Sequence, residues 1–122
     1  MAEQTTAGGL DFEALRRAIE QSDAEALTGF YADEAELYTV NRNTTPSSPG
    51  MLRGKQAIAE FLADVCGRDM THRVENEVIG RDRIAFNEAC EYADGVRVLT
   101  ATTLDVRDGQ IVRQINVEAW DE

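Results

Sequence analysis

Histidine, cysteine and proline are scarce in this chain of 122 residues, which has one histidine, two cysteines and two prolines. Cys66 and Cys90 do not form a CxxC pair, so we interpret them as buried free thiols rather than as a disulfide. One histidine and scattered acidic residues give no recognisable spacing of metal ligands. No glycine-rich nucleotide motif is present either. The sequence therefore predicts no metal and no cofactor.

Long apolar segments and clusters of basic residues are also lacking. The first nine residues, MAEQTTAGG, have neither the charge nor the apolar run of a signal peptide. No apolar run approaches the roughly 18 residues that a membrane span needs. Twelve basic residues face 23 acidic ones, for a net charge of −11. We therefore expect no membrane or nucleic-acid partner, because phosphate contacts need a basic surface, and a cytoplasmic location is the default.

The segments that are present predict one α+β domain over residues 10–122, after a disordered tail over residues 1–9. Helical periodicity marks LDFEALRRAIEQSD, SDAEALTGFYADEA and GKQAIAEFLADVCG, with Asp11 as a cap of the first and Ser22 or Asp23 of the second. AELYTVN alternates as a strand, and RNTTPSSPGMLRG is a loop at a rim or lid. Four further strands are predicted at 71–80, 83–93, 96–106 and 110–120.

Two Asp-Gly pairs mark the turns between the last three strands. If Asp94–Gly95 is a two-residue loop, Asn87 lies opposite Thr102. Under that register both faces of the sheet carry apolar residues, whereas a half-exposed sheet would alternate cleanly with polar ones. We therefore expect the helices on one face and a second copy of the chain, forming a homodimer, on the other.

The order of SDAEALTGFYADEAELY, RGKQAIAEFL and a final VRDGQIVRQINVEAWDE resembles the SnoaL-like group of the nuclear-transport-factor-2-like superfamily. The resemblance covers residues 10–122. It implies a cone, in which a curved, mostly antiparallel sheet wraps around three helices and leaves an internal pocket. That superfamily includes ketosteroid isomerases, polyketide cyclases, scytalone-type dehydratases, limonene-type epoxide hydrolases and proteins without catalytic activity.

The residues of this chain at the family's catalytic positions reduce the number of activities that the resemblance implies. Thr39 and Thr102 stand where a ketosteroid isomerase has its two aspartates, and Leu15 stands where it has its tyrosine. Strand 96–106 carries no Arg-x-Asp of the epoxide hydrolase type. THRVEN is similar to the dehydratase strand that carries a histidine, although no second histidine follows. Chemistry with a single histidine is what the resemblance supports.

The stretch MTHRVENEVIG holds that histidine, His72, with Asn76 predicted on the same face. A neutral imidazole both accepts and donates a proton near pH 7, so His72 is the candidate acid or base. The alternative is an exposed histidine at a strand end.

The last strand offers a second set of candidates, Gln114, Asn116 and Glu118, with Trp120 beside them. The family resemblance implies that these side chains face the pocket. A two-residue turn at Asp108–Gly109 would instead point it outward. A similar choice separates Glu88 from Asn87, since only one of these neighbours faces the cone. A carboxylate there could act as an acid or base.

We therefore expect an acid–base enzyme, an isomerase, dehydratase or cyclase, acting on a small apolar, carbonyl-bearing molecule. Its acid–base residues would be His72 with Glu118 or Glu88. The predicted substrate-binding residues are Tyr38, Asn76, Asn87, Thr102, Gln114, Asn116 and Trp120. The alternative is a ligand-binding or dimeric scaffold module of the same fold without catalysis.

Overall fold

The computed structural model describes residues 5–121, which form three helices and a six-stranded sheet beside a small N-terminal hairpin. The helices are α1 (Phe12–Glu20), α2 (Ala24–Thr28) and α3 (Lys55–Cys66). The strands are β1 (Thr6–Ala7), β2 (Leu10–Asp11), β3 (Tyr31–Val40), β4 (Gly50–Arg53), β5 (Met70–Ile79), β6 (Arg83–Tyr92), β7 (Arg97–Arg107) and β8 (Gln110–Trp120).

The large sheet has the order β4-β3-β8-β7-β6-β5 and is antiparallel except where β3 runs parallel to β8. The sheet is curved and the helices pack inside it, so the predicted α+β cone is confirmed. The core joins Phe12, Leu15 and Ile58 of the helices to Ile84 and Leu104 of the sheet. Among the described residues, no helix is long and apolar enough to span a bilayer.

The helix starts follow the predicted capping. The Asp11 carboxylate accepts a hydrogen bond from the backbone N–H of Glu13, and Asp23 rather than Ser22 caps α2 by accepting from Ala26. The second helix is shorter than predicted, because it ends at Thr28 and Tyr31 already begins β3. This difference carries Tyr31 from a helix end onto the sheet, with its side chain buried.

The predicted disordered tail over residues 1–9 is wrong for residues 5–9, whereas residues 1–4 lie outside the described part. Ala7 is 1% exposed within the β1–β2 hairpin. Gly8 donates to the Arg81 carbonyl and accepts from the Gly109 N–H, so the hairpin bridges two turns of the sheet. These are backbone hydrogen bonds, and the small polar side chains of this segment give no sequence pattern that predicts them.

The predicted loop over residues 42–54 also contains structure. Residues 50–53 of this segment form β4, which pairs antiparallel with Glu36–Thr39 as the edge of the sheet. Of its remaining residues, 42–49 lie in the connection between β3 and β4, where Thr44 lines the internal cavity, and Gly54 lies between β4 and α3.

The predicted register between the strands joined at Asp94–Gly95 is wrong by one residue. Glu91 pairs with Arg97, so the connection is longer than two residues, and Thr102 lies opposite Phe86 instead of Asn87. A one-residue slip exchanges the faces of one strand relative to the other. Thr100, Thr102 and Leu104 therefore share the inner face with Ile84, Phe86 and Glu88.

Two β-bulges decide which side chains face inward. In β8 the turn at Asp108–Gly109 does pair Arg107 with Gln110, but the register then shifts between Asp105 and Val106, and Thr102 lies opposite Asn116. The tight turn at Asp108–Gly109 and an inward orientation of Gln114, Asn116 and Glu118 are therefore both present. One extra residue in β8 reverses which side chains of that strand face the inside of the cone. A second bulge in β5 follows Glu75, where Asn76 has a φ of +58°.

Candidate functional site

A cavity of about 460 Å³ lies inside the cone. Its wall is mostly apolar, from residues such as Leu15, Ile19, Leu37, Phe61 and Phe86. Polar side chains from β3, β5, β6, β7 and β8 interrupt this wall: Tyr31, His72, Glu88, Cys90, Thr100, Gln114, Asn116 and Glu118. An apolar cavity with a few convergent polar groups is the usual form of a small-molecule site.

His72 and Glu88 meet on this wall. The imidazole Nδ1 lies 3.0 Å from Glu88 Oε2, and the two side chains are 4% and 23% exposed. The carboxylate of strand β6 therefore reaches the histidine of β5. The bulge in β5 begins beyond His72, so the predicted alternation holds as far as Val74.

Cys90 completes this cluster. Its Sγ lies 3.2 Å from His72 Nδ1 and 3.2 Å from Glu88 Oε2, to which the thiol donates a hydrogen bond. Burial raises the pKa of the Cys90 thiol, and the neighbouring Glu88 charge raises it further. Sequence reasoning missed this contact because Cys90 and His72 are 18 positions apart and meet only by cross-strand pairing.

A second polar group lies along β8. Tyr31 donates its hydroxyl proton to Gln114 Oε1, and Gln114 Nε2 donates to Asn116 Oδ1 at 2.9 Å. Thr102 Oγ1 donates to the same Asn116 oxygen at 3.0 Å. Burial, followed by the charge of Glu88, raises the pKa of the Tyr31 hydroxyl, so this group remains a donor. Thr102 supports Asn116 but does not itself line the cavity.

Glu118 and Trp120 line the cavity near the end of β8. Glu118 Oε1 accepts from Asn41 Nδ2 at 3.0 Å and from the Trp120 indole at 3.3 Å. Trp120 also stacks on Tyr92, with ring centroids 5.7 Å apart. The partners of Glu118 in the described part of the chain are thus Asn41 and Trp120, and the carboxylate that contacts His72 is Glu88.

Three predicted pocket residues lie elsewhere. Tyr38 points away from the cavity, where its hydroxyl donates to Glu36 and Arg113 covers its ring. Asn87 lies opposite Ala101 on the outer face, because the slipped register puts Glu88 inside. Asn76 is exposed at the bulge of β5, because the extra residue turns its side chain out of the alternation.

The fold and this cavity define an α+β cone with a mixed polar and apolar interior. The family model of the SnoaL-like domain matches residues 12–114, so the chain belongs to this family. No curated protein matches the chain.

Solved structures share the fold at low sequence identity. An NTF2-like protein of unknown function from Mesorhizobium loti is 22% identical, with a TM-score of 0.74 and 88% of each chain covered. A proposed ketosteroid isomerase from Kribbella flavida is 15% identical, with a TM-score of 0.71 over 90% of this chain and 74% of its own. An epoxide hydrolase of the LEH-like type from M. tuberculosis is 17% identical, with a TM-score of 0.65 over 88% of this chain and 78% of its own.

Proposed function

We propose that this protein is an acid–base enzyme that binds a small apolar, carbonyl-bearing molecule in the cavity and isomerises, dehydrates or cyclises it. The observation that carries the proposal is the His72–Glu88 pair, 3.0 Å apart on the wall of an apolar cavity. Proton transfer by a positioned side chain accelerates such reactions by about 10² to 10⁴-fold.

His72 is the proposed base. Glu88 Oε2 lies next to Nδ1, so an ionised Glu88 holds the proton on Nδ1 and leaves the lone pair on Nε2. Within the described residues, Nε2 has no hydrogen-bond partner of its own. A carboxylate in this position also stabilises the imidazolium that forms when Nε2 takes a proton, as in other carboxylate–histidine pairs.

Asn116 is the proposed group that polarises the substrate oxygen. The donors Gln114 Nε2 and Thr102 Oγ1 both point at Asn116 Oδ1, which fixes the orientation of its amide. The Nδ2 donors of Asn116 then have no partner in the described part of the chain, and Asn116 lines the cavity. Donors held in advance near a developing oxyanion are a large source of transition-state stabilisation.

The proposal predicts that the protein accelerates exchange of protons next to a carbonyl group. Small apolar ketones and enones would be screened by thermal shift, and each binder would be incubated in D₂O with the protein. We expect deuterium incorporation at the α-carbon, detected by NMR or mass spectrometry. The His72→Ala variant should lower the exchange rate by about 10² or more, because the base is gone.

The matched control is Arg73→Ala, which changes the exposed neighbour of His72 on the same strand and should leave the exchange rate unchanged. Circular dichroism would establish that both variants fold. Exchange that is equally fast in His72→Ala would remove His72 from the mechanism. Saturable binding without any exchange would support the non-catalytic ligand-binding alternative instead.

A further inference from the structure

Three atoms of different chemistry converge at the wall of the cavity. His72 Nδ1, Glu88 Oε2 and Cys90 Sγ form a triangle with sides of 3.0, 3.2 and 3.2 Å. Nitrogen, carboxylate oxygen and sulfur are the three donor types that bind zinc in proteins. We propose that these three side chains form a binding site for one Zn²⁺ ion.

The β-scaffold explains why the three side chains share one point. His72 and Cys90 are direct cross-strand partners of β5 and β6, and Glu88 lies two residues from Cys90 on the same face. Side chains on rigid, paired strands lose little further freedom when they bind an ion. The Glu20 carboxylate accepts the backbone N–H of Val74 at 2.9 Å, which ties β5 to helix α1 next to this site.

The distances fit an ion after a small expansion. A tetrahedral zinc ion with bonds of about 2.0 Å to nitrogen and oxygen and about 2.3 Å to sulfur holds nitrogen and oxygen about 3.3 Å apart, and each of them about 3.5 Å from the sulfur. Each side of the observed triangle would have to open by about 0.3 Å, which small χ rotations supply.

Charge and coordination number also favour zinc. Zn²⁺ would displace the Cys90 thiol proton, which passes to the buffer, and the resulting thiolate with the Glu88 carboxylate neutralises the divalent cation. A thiolate with an imidazole favours Zn²⁺ over Mg²⁺ or Ca²⁺, which prefer oxygen ligands. The described chain supplies three ligands, so the fourth position faces the cavity. Three protein ligands with one open position are typical of zinc sites that bind a water or a substrate oxygen.

This inference concerns the residues of the proposed function but does not depend on it. A metal ion on Nδ1 moves the remaining proton of a neutral imidazole to Nε2, so a zinc-bound His72 no longer serves as a base. The zinc-bound and metal-free proteins are therefore alternative states. Turnover by the base belongs to the metal-free state, and zinc should inhibit it.

The experiment uses the full chain with any affinity tag removed, since His72 is then its one imidazole. After treatment with a chelator and buffer exchange, Co²⁺ would be titrated as a spectroscopic substitute for zinc. We expect a thiolate-to-cobalt charge-transfer band that saturates at one ion per chain. Zn²⁺ should abolish that band, and isothermal titration calorimetry should give one Zn²⁺ site.

Cys66 provides a matched control, because it is the other free thiol and also lines the cavity. Cys66→Ser should keep the band, Cys90→Ser should lose it, and Glu88→Gln should weaken Zn²⁺ binding by at least about tenfold. Glu88→Gln keeps the shape of the side chain, so it provides a second reading if Cys90→Ser does not fold. The inference is overturned if the wild-type protein shows no charge-transfer band, or if Cys90→Ser binds as the wild type does.

The α-proton exchange assay, run in the presence of chelator, separates the two proposals. Exchange without zinc binding would leave the acid–base proposal standing and reject the metal site. A one-to-one zinc complex without exchange would do the reverse.

Discussion

The buried polar side chains along β7 and β8 are oriented by hydrogen bonds to one another. Thr102, Gln114 and Asn116 are buried, and each makes a hydrogen bond within the same chain of contacts. A buried polar group without a partner costs roughly 1 to 3 kcal/mol. The network therefore orients its members, and it leaves the Asn116 Nδ2 donors for a ligand.

The Tyr31 hydroxyl donates to Gln114 and so belongs to this network. The pH at which Tyr31 ionises tests how deeply its side chain is buried. Burial and the charge of Glu88 raise the pKa of its hydroxyl, so the unfolded chain loses this proton first. Tyr31 therefore stabilises the fold fully below about pH 10, the ordinary tyrosine pKa, and this contribution falls as the pH rises further. We expect the phenolate absorbance of folded wild type and Tyr31→Phe to agree up to about pH 11, and to differ by one tyrosine only after unfolding.

A smaller native absorbance change in Tyr31→Phe than in the wild type would show that Tyr31 ionises in the folded protein. That outcome would contradict its role as a permanent donor to Gln114.

At the scale of the elements, two bulges and one turn decide what the strands present to the cavity. The bulge in β8 turns Gln114, Asn116 and Glu118 inward despite the tight Asp108–Gly109 turn. The longer connection around Asp94–Gly95 selects Glu88 over Asn87. Each changes the register by one residue, which is enough to exchange the two faces of a strand.

The bulge in β5 depends on a left-handed backbone conformation at Asn76, with φ +58°. Asparagine tolerates this conformation, but a β-branched residue does not. Asn76→Val should therefore lower the free energy of unfolding by about 1 to 2 kcal/mol, measured by urea denaturation.

Asn76→Gly serves as the control, because glycine adopts a positive φ freely and Asn76 is exposed. We expect a change within about 0.5 kcal/mol for this variant. Equal destabilisation by both substitutions would mean that the Asn76 side chain, and not its backbone, stabilises the bulge.

At the scale of the whole molecule, the outer face of the sheet is apolar at its centre. Leu99 is 50% and Val117 is 49% exposed, and the register places them beside Ala119 and Ala101. We propose that a second copy of this chain covers that face, because burying the apolar patch is favourable. The net charge of −11 makes two copies repel each other, so association should strengthen with salt.

Sedimentation velocity should show a dimer of the wild-type chain and a monomer of Leu99→Glu, because the substitution would bury a carboxylate at the interface. Val78→Glu is the matched control, since Val78 is 67% exposed on the edge strand β5, which β6 separates from β7 and β8. A monomeric wild type at high protein concentration would reject the dimer.

Local signals in the sequence were sufficient for the three helices and for five of the eight strands in the described part of the chain, but not for β1, β2 and β4. The caps at Asp11 and Asp23, the amphipathic third helix and the last four strands all follow from short-range patterns. The β1–β2 hairpin and β4 have no such pattern, because long-range backbone hydrogen bonds hold them. Tyr38 and Asn76 were misplaced because alternation along one strand does not report which face is inner or where a bulge occurs. Asn87 was misplaced because Asp94–Gly95 was taken as a two-residue loop.

The sequence by itself determined the family and the α+β class, and it singled out His72 as the one imidazole. These conclusions depend on the order of motifs and on the amino-acid composition, which can be read from the sequence without knowing how the strands pair. Tertiary structure alone decided that Glu88 and Cys90 meet His72, and that Asn116 faces the cavity. Such contacts depend on pairing between strands, where a shift of one residue reverses every side chain.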